Sequence, residues 1–305
     1  MIVVAGEALV DLVPAGGGTL APRLGGGPYN AALAAARLGA PTGFVSRLST
    51  DSFGDALLGR LAASGVDTAL AQRGVEPTSL AVVALEDGHA RYTFYTEGTA
   101  DRLVADPGPL PDEVTVFATG TLGMVLEPGA STYEAMLRRE HGRGVLTVLD
   151  PNIRSGLIAD AGAYRARFAG WLPHVRLLKL SVPDAAWLAD GDAHAEVLRS
   201  WLAAGAGAVV LTDGAAGMTV YTPSVDGLHV PAVPAEAVDT IGAGDTVLGA
   251  LLAWLHGQAV SDPAALTPEE WRHALGFAAT AAAITVSRSG AEPPAAADVE
   301  KYHAP

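Results

Sequence analysis

The chain has 305 residues, half of them apolar and 17 % charged, enough for a sizeable core and incompatible with a disordered chain. Its 33 acidic and 19 basic side chains give a formal charge of −14. The densest basic cluster, Arg138, Arg139 and Arg143, holds Glu134 and Glu140 within it, which argues against nucleic acid as a partner. Cysteine is absent, removing disulfides, thiolate nucleophiles, iron–sulfur clusters and Cys-ligated zinc.

In chain order, the start MIVVAGEALVDLV has no basic residue before its apolar stretch and carries Glu7 and Asp11 inside it, unlike a secretory signal. Residues 2–4 read as a strand, and 12–25 are rich in Gly and Pro with no helical pattern. An Ala-rich helix is expected over 30–38, stopping at Gly39, then a strand over 42–45. The helix over 51–64 opens on an acid, carries Leu57, Leu58 and Leu61 on one stripe and stops at Gly65. Residues 79–96 read as a hairpin turning at Asp87-Gly88, with Tyr92, Phe94 and Tyr95 dense on its second arm. Further strands are expected at 114–118, 145–149, 177–180 and 208–211, alternating with helices at 131–141 and 196–204, and a short hairpin at 218–229. The apolar run 274–286 falls short of the ~18–20 residues a bilayer requires, so a soluble, cytoplasmic protein without membrane contact is expected. The tail from 291 reads as a loosely held surface segment.

These strands are apolar on both faces, as in parallel sheets covered on both sides. Repeated βα units imply a doubly wound, mostly parallel α/β sheet with right-handed crossovers. The two segments that break the rhythm, 12–25 and 79–96, are taken as a small β-sheet lid. The remaining segments, 1–11, 26–78 and 97–305, form the core.

The chemistry concentrates at 238–256, VDTIGAGDTVLGALLAWLH. After Gly242-Ala243-Gly244-Asp245 comes a helix apolar nearly all round, hence buried. Glycines in its first turn leave backbone N–H groups bare at a helix N-terminus, an anion site. Asp245 in that positive end is expected to stay ionised and to accept a proton from an attacking hydroxyl. Phosphoryl transfer needs this combination of donors and base. Spacing alone leaves open that Asp245 only caps the helix and the glycines only make a turn. The region is neither a Walker A loop, since no Gly-Lys pair exists, nor a dinucleotide fingerprint, whose third glycine falls at Val247.

The run Asp239-Thr240-Ile241-Gly242-Ala243-Gly244-Asp245 resembles the C-terminal signature of the ribokinase-like sugar kinases, the PfkB family. Gly25-Gly26-Gly27-Pro28-Tyr29-Asn30 resembles that family's N-terminal Gly-Gly-x-x-x-Asn element. Thr212-Asp213-Gly214-Ala215-Ala216-Gly217 resembles its nucleotide loop, and 282–293 the stretch that closes its adenine pocket. The resemblance covers nearly the whole chain. It implies Asp245 as base, the backbone of Gly242, Ala243 and Gly244 as anion hole, and Asp11, Gly26, Gly27 and Asn30 as sugar ligands. It also implies Thr212, Gly214 and Gly217 beside ATP, and a monovalent-cation site (potassium) at Asp239, Ile241, Thr285, Arg288 and Gly290. Two physical arguments run alongside. Asp11 lies at the sheet end where open α/β sheets bind ligands, and a carboxylate accepts several hydroxyl hydrogen bonds. Asn30, opening a helix, also fits a plain N-cap.

Asp150-Pro151-Asn152-Ile153-Arg154 resembles the corresponding element of fructokinases and 2-keto-3-deoxygluconate kinases, as does Gly6-Glu7 followed by Asp11. This implies Asn152 in the sugar site and Arg154 on the phosphate or the sugar, with a buried Arg154–Asp150 ion pair as the structural alternative. Arg91 on the lid hairpin either reaches substrate or lies on a solvated face. Ser181 and Asp184 stand where relatives organise ATP-bound magnesium through water, and Lys179, one of two lysines, suits a phosphate contact. The eight histidines are scattered with no His-x-x-x-His pair, so a protein-ligated transition metal is not expected; magnesium arrives with ATP. The expectation is an ATP-dependent fructokinase making fructose 6-phosphate and pairing as a homodimer through the lid. The alternatives are a 2-keto-3-deoxygluconate kinase, whose acidic substrate needs a committed cation, and a sugar sensor without catalysis.

Overall fold

A computed structural model describes residues 1–86 and 89–302. In chain order the elements are β1 (Ile2–Ala5), β2 (Leu9–Gly16), β3 (Thr19–Gly25), α1 (Gly27–Arg37), β4 (Thr42–Ser49), α2 (Ser52–Ala63), β5 (Ala71–Gly74), β6 (Ser79–Glu86), β7 (His89–Tyr95), β8 (Val116–Gly120) and α3 (Gly129–Gly142). There follow β9 (Leu146–Asp150), α4 (Ala161–Trp171), β10 (Leu177–Ser181), α5 (Val182–Ala189), α6 (Ala195–Ala203), β11 (Ala208–Thr212), β12 (Met218–Tyr221), β13 (Asp226–Val230), α7 (Ala243–Gly257), α8 (Pro268–Val286) and α9 (Ala296–Tyr302).

The large sheet has nine strands in the order β13-β12-β11-β10-β9-β8-β1-β4-β5. It is parallel from β11 through β5, and antiparallel only where β12 meets β11 and β13. Its inner strands are buried along their whole length, β1, β8 and β9 without exception. Side chains alternate between two cores: Ile2 and Val4 pack among residues of α1, α7 and α8, Val3 and Ala5 among residues of α3 and α4. The parallel order reverses at β1, whose neighbours are β4 on one side and β8 on the other, opening a crevice at the strands' C-terminal ends. The doubly wound α/β architecture expected from the sequence is present.

The smaller sheet has four strands in the order β3-β2-β6-β7, with β2 parallel to β6 and the other pairs antiparallel. It begins at Leu9, so Leu9, Val10 and Asp11 pair within it rather than in the core segment that the composition shift suggested. The Asp87-Gly88 turn and the side chain of Arg91 lie outside the described residues; Arg91 itself pairs with Ala84 in β7.

Local chemistry explains most boundaries. Helix α2 is capped by the Asp51 carboxylate accepting from Gly54 N–H at 2.8 Å. Helix α1 begins three residues earlier than the sequence pattern indicated, because Gly26 (φ 116°) breaks the chain ahead of it and Pro28 suits a first helical turn. Asn30 is therefore inside the helix and is not its cap. Helix α8 is much longer than its apolar run, starting at a Thr267/Glu270 capping box. The C-terminal segment is not loosely held: α9 carries Val299, 4 % exposed, into the core, and Asp298 pairs with Arg288 at 3.0 Å. Among the described residues no helix is long and apolar enough to cross a membrane.

Candidate active site

A cavity of about 330 Å³ sits at the switch-point crevice, under the small sheet. Its floor is the start of α7. Gly242 precedes that helix with φ 76°, a left-handed conformation suited to glycine, and a Cβ there comes within 2.6 Å of the Ala291 side chain. No side chain caps the helix. Gly242, Gly244 and Asp245 of this turn border the cavity, while Ala243 N–H donates to Thr240 carbonyl at a long 3.3 Å. Of the expected anion hole, Gly242 and Gly244 line the cavity; Ala243 has this competing acceptor.

Asp245 also lines the cavity, and its Oδ2 accepts from Asn30 Nδ2 at 2.9 Å. The contact exists because α1 and α7 approach closely: a Cβ on Gly249 lies 2.5 Å from Ala34 Cβ and 2.6 Å from Ala31 carbonyl. Asn30 is 6 % exposed and its Oδ1 is buried with no protein partner, an acceptor left for a ligand hydroxyl. From the sequence, the helix tip was expected to keep Asp245 simply ionised. Burial instead raises its pKa, while Asn30, Lys179 and Arg154 oppose the rise. A raised carboxylate is the better proton acceptor.

Opposite stands Asp11 on β2, beside Gly25, where a Cβ meets its Oδ2 at 2.5 Å. Burial, then the nearby Asp245, push Asp11 up to about 6 against the pull of Arg154. Gly26, Gly27 and Asn152 complete this side with Arg154. Arg154 Nη1 donates to Asn152 Oδ1 at 2.8 Å and to two loop carbonyls, so the guanidinium rigidifies its own loop. The alternative Arg154–Asp150 pair does not form. Asp150 is bonded to Lys179 Nζ at 2.6 Å, both buried. Burial lifts Asp150 to about 6; for Lys179 burial acts downward, but the Asp150 carboxylate outweighs it and holds the ammonium above its usual value. Lys179 is thus no surface lysine, although it still borders the cavity beside Gly244.

On the far side lie Ser181, Asp184 and Thr212. Ser181 and Asp184 form a capping box at the start of α5. Asp184 Oδ2 accepts from Ser181 N–H and Oγ, and its Oδ1 from Ile153 N–H at 2.8 Å. Three of its roughly four acceptor positions are therefore used inside the protein. Gly214 (φ 49°) and Gly217 (φ 107°) shape the turn after β11, where a Cβ on Gly217 strikes Val230 carbonyl; they stand outside the cavity. So do Asp239, Thr285, Arg288 and Gly290, while Ile241 borders it.

Sequence reasoning missed several residues here. Thr121 lines the cavity with φ 52°, a conformation rare for a β-branched residue, and Asn152 has φ 39°; the signal was Gly120-Thr121 at the end of a parallel strand. Tyr92 and Phe94, stacked at 6.0 Å, wall the cavity from β7, as alternate positions of one strand face. Glu7 was noticed only as part of a motif.

Similarity to characterised proteins agrees with this geometry. The model of the pfkB family of carbohydrate kinases matches residues 1–298. A fructokinase of Rhizobium leguminosarum bv. trifolii is 38 % identical over 84 % of this chain and 79 % of its own. The structure of a fructokinase with bound ATP from Xylella fastidiosa superposes with a TM-score of 0.90 at 30 % identity, covering 98 % of this chain and 97 % of that one. A fructokinase from Vibrio cholerae O395 in a fructose-, ADP- and calcium-bound form gives 0.87 at 26 % identity over 99 % and 98 %. A carboxylate held at an uncapped helix tip, in a cleft at the sheet's switch point and within a match spanning nearly every residue, thus has one source: this chain belongs to the pfkB family of carbohydrate kinases.

Proposed function

We propose that the protein is a fructokinase, transferring the γ-phosphoryl group of ATP to the 6-hydroxyl of D-fructose. The observation that carries this reading is Asp245, fixed by Asn30 at the mouth of α7 and facing a cavity lined by sugar-competent acceptors. Fructose hydroxyls bond to Asp11, Asn30, Asn152 and the backbone of Gly26 and Gly27, under the small sheet acting as a lid. ATP lies along Thr212, Gly214 and Gly217, its adenine covered by 282–293. Asp245 takes the hydroxyl proton as the O6–Pγ bond forms and the bond from Pγ to the β-phosphate oxygen breaks, releasing ADP. Charge on the transferred group meets the amides of Gly242 and Gly244 at the positive helix end. Arg154 and Lys179 supply further positive charge. Closure of the lid expels water, so ATP is not simply hydrolysed.

Magnesium accompanies ATP, and Asp184 has one acceptor position left for a metal-bound water. A potassium site also fits these residues. Asp239 Oδ1 accepts from Ile241 N–H and Oδ2 from Gly290 N–H, both at 2.9 Å, bracing the two segments whose carbonyl oxygens suit a hard cation. Tyr95, 60 % exposed on the face of β7 turned from the cavity, favours pairing of two lids into a homodimer, read by sedimentation. The cytoplasm, where ATP is abundant, is the compartment this reading requires.

A coupled ADP-release assay tests the proposal. Activity is expected with fructose and not without sugar, rising when sodium is replaced by potassium. Turnover with 2-keto-3-deoxygluconate alone, or no turnover with any sugar, overturns it.

A further inference from the structure

We infer that Glu7 is a positioning residue for phosphoryl transfer, its carboxylate tying the first residue of α1 to the turn after β8 and thereby holding Asn30 against Asp245. Glu7 lies between β1 and β2 and is 2 % exposed. Its Oε1 accepts from Gly27 N–H and its Oε2 from Gly123 N–H, each at 3.1 Å. These donors lie 20 and 116 residues away in sequence, one at the start of α1 and the other in the turn after β8. The surrounding backbone is pressed tightly together: a Cβ on Gly26 comes within 2.7 Å of Glu7 carbonyl, and one on Gly6 strikes the Pro28 ring.

A buried carboxylate is costly here. Burial pushes Glu7 up to about 8 despite its amide donors. A second buried acid, Asp101, faces it across a small cavity of about 10 Å³ that Arg102 and Tyr133 also line. Both oxygens of the carboxyl keep acceptor lone pairs whether or not it carries a proton, whereas glutamine fits the same space but offers one acceptor oxygen to two N–H groups, leaving a donor against a donor. The requirement for two acceptors explains the choice of residue. From Gly27 the path to the chemistry is one helical turn: Asn30 N–H bonds to Gly26 carbonyl at 2.9 Å, and Asn30 Nδ2 reaches Asp245. Glu7 also borders the reaction cavity itself, so a shift of Gly27 moves the sugar wall and the base together.

The inference rests on Asp245 being the base of a sugar kinase, and the test separates the two. Glu7→Gln, Asn30→Ala and the double variant are assayed with fructose and ATP, with amide hydrogen exchange followed at residues 26–30 and 123. Misplacement on the ångström scale costs up to about 10²-fold, so Glu7→Gln is expected to lower kcat about 10–100-fold and raise the KM for fructose several-fold. The KM for ATP stays within about twofold, and exchange at Gly27 accelerates by about tenfold or more. In the Asn30→Ala background, Glu7→Gln lowers kcat by less than about threefold, since both act along one path. A Glu7→Gln protein that melts earlier but keeps kcat and the fructose KM overturns the inference, as do effects that multiply in the double variant. Should Glu7→Gln fail to fold, the wild type decides: rapid exchange at Gly27 or Gly123 overturns it, and slow exchange at both supports it. A wild type inactive on every sugar, with protected Gly27 and Gly123, instead refutes the kinase reading while leaving the tie intact.

Discussion

The two halves of the cleft, the one we propose for the sugar and the one we propose for ATP, are built differently. The sugar half is made of side chains from five separate segments, Glu7 and Asp11, Asn30, Tyr92 and Phe94, Thr121, and Asn152 with Arg154. Several of its acids are pushed up by burial. The nucleotide half is mostly backbone: an exposed turn over 213–216 closed by Gly217, and the uncapped start of α7. A neutral polyol offers only hydroxyls, so recognising it requires oriented acceptors gathered from distant strands and taken out of water. A phosphate chain carries its own charge, and amides at tight turns and helix ends suffice. On this proposal, selectivity resides in the half that is expensive to fold.

Asp245, the base we propose between the two halves, gives the largest expected effect. Asp245→Asn keeps the Asn30 neighbourhood nearly isosteric but cannot take the hydroxyl proton. Turnover should fall about 10²–10⁴-fold, while fructose and ATP affinities by calorimetry change little. Near-normal turnover would remove Asp245 from that role. Gly217→Ala tests the nucleotide half alone. Its φ of 107° and the Val230 carbonyl leave no room for a methyl group, so the turn must move. The KM for ATP is expected to rise about tenfold, as for losing one charged hydrogen bond, with the KM for fructose unchanged. An equal rise in both would mean that the halves are not separable.

The contrast also decides what the sequence disclosed. Backbone devices leave compact signatures, because glycine at Gly242 and Gly217 is required by conformation and close approach, and these positions were readable. So were the β1 and β8–β11 strands, whose mostly apolar runs on both faces indicate burial. The sugar half was legible in part. Asp11, Asn30, Asn152 and Arg154 came through resemblance, but not their bonding. That Asn30 would hold Asp245 depends on α1 and α7 touching through Gly249, 215 residues apart at the contact, and no local spacing encodes that. The bonding of Lys179 was hidden for the same reason: no local spacing tells that Asp150 of the neighbouring strand pairs with its ammonium. Glu7 and Thr121 carry no periodic signal, being single residues in turns.

Proton dependence sharpens the comparison on the sugar side. Asp11 is held up to about 6 by burial and by Asp245, so it loses its charge, and acceptor capacity, as pH falls through that value. Wild-type kcat/KM for fructose should therefore fall as pH drops through about 6, and Asp11→Asn should weaken or shift that limb. The KM for ATP should show no matching limb. The same groups fix the sign of the stability dependence. Glu7, Asp11 and Asp150 bind protons more tightly folded than unfolded, so their contribution is complete below about pH 4. It is lost as pH rises through 6 to 8. The ligand-free melting temperature should therefore decline from about pH 5 to about pH 8.5, and a flat or rising curve would show these carboxyls to be unshifted.

The smallest effect is expected where the small sheet is anchored, away from both ligands. Asp51 caps α2 through Gly54 N–H, and its carboxylate also accepts from Thr78 N–H at 2.9 Å and Thr78 Oγ1 at 2.7 Å, just before β6 begins. One side chain thus fixes a core helix and the root of the lid. Asp51→Ala should cost about 1–2 kcal/mol as a lost cap, lowering Tm by roughly 2–6 °C at this chain length. A looser root spreads the lid over more orientations without altering its contacts when closed. The KM for fructose should accordingly rise less than about threefold, with kcat and the KM for ATP unchanged. An asparagine side chain at this position can still accept from Gly54 N–H but satisfies Thr78 less well. Asp51→Asn should therefore recover most of the melting temperature and little of the fructose KM. Recovery of both together would place the whole effect in the helix cap and none in the lid.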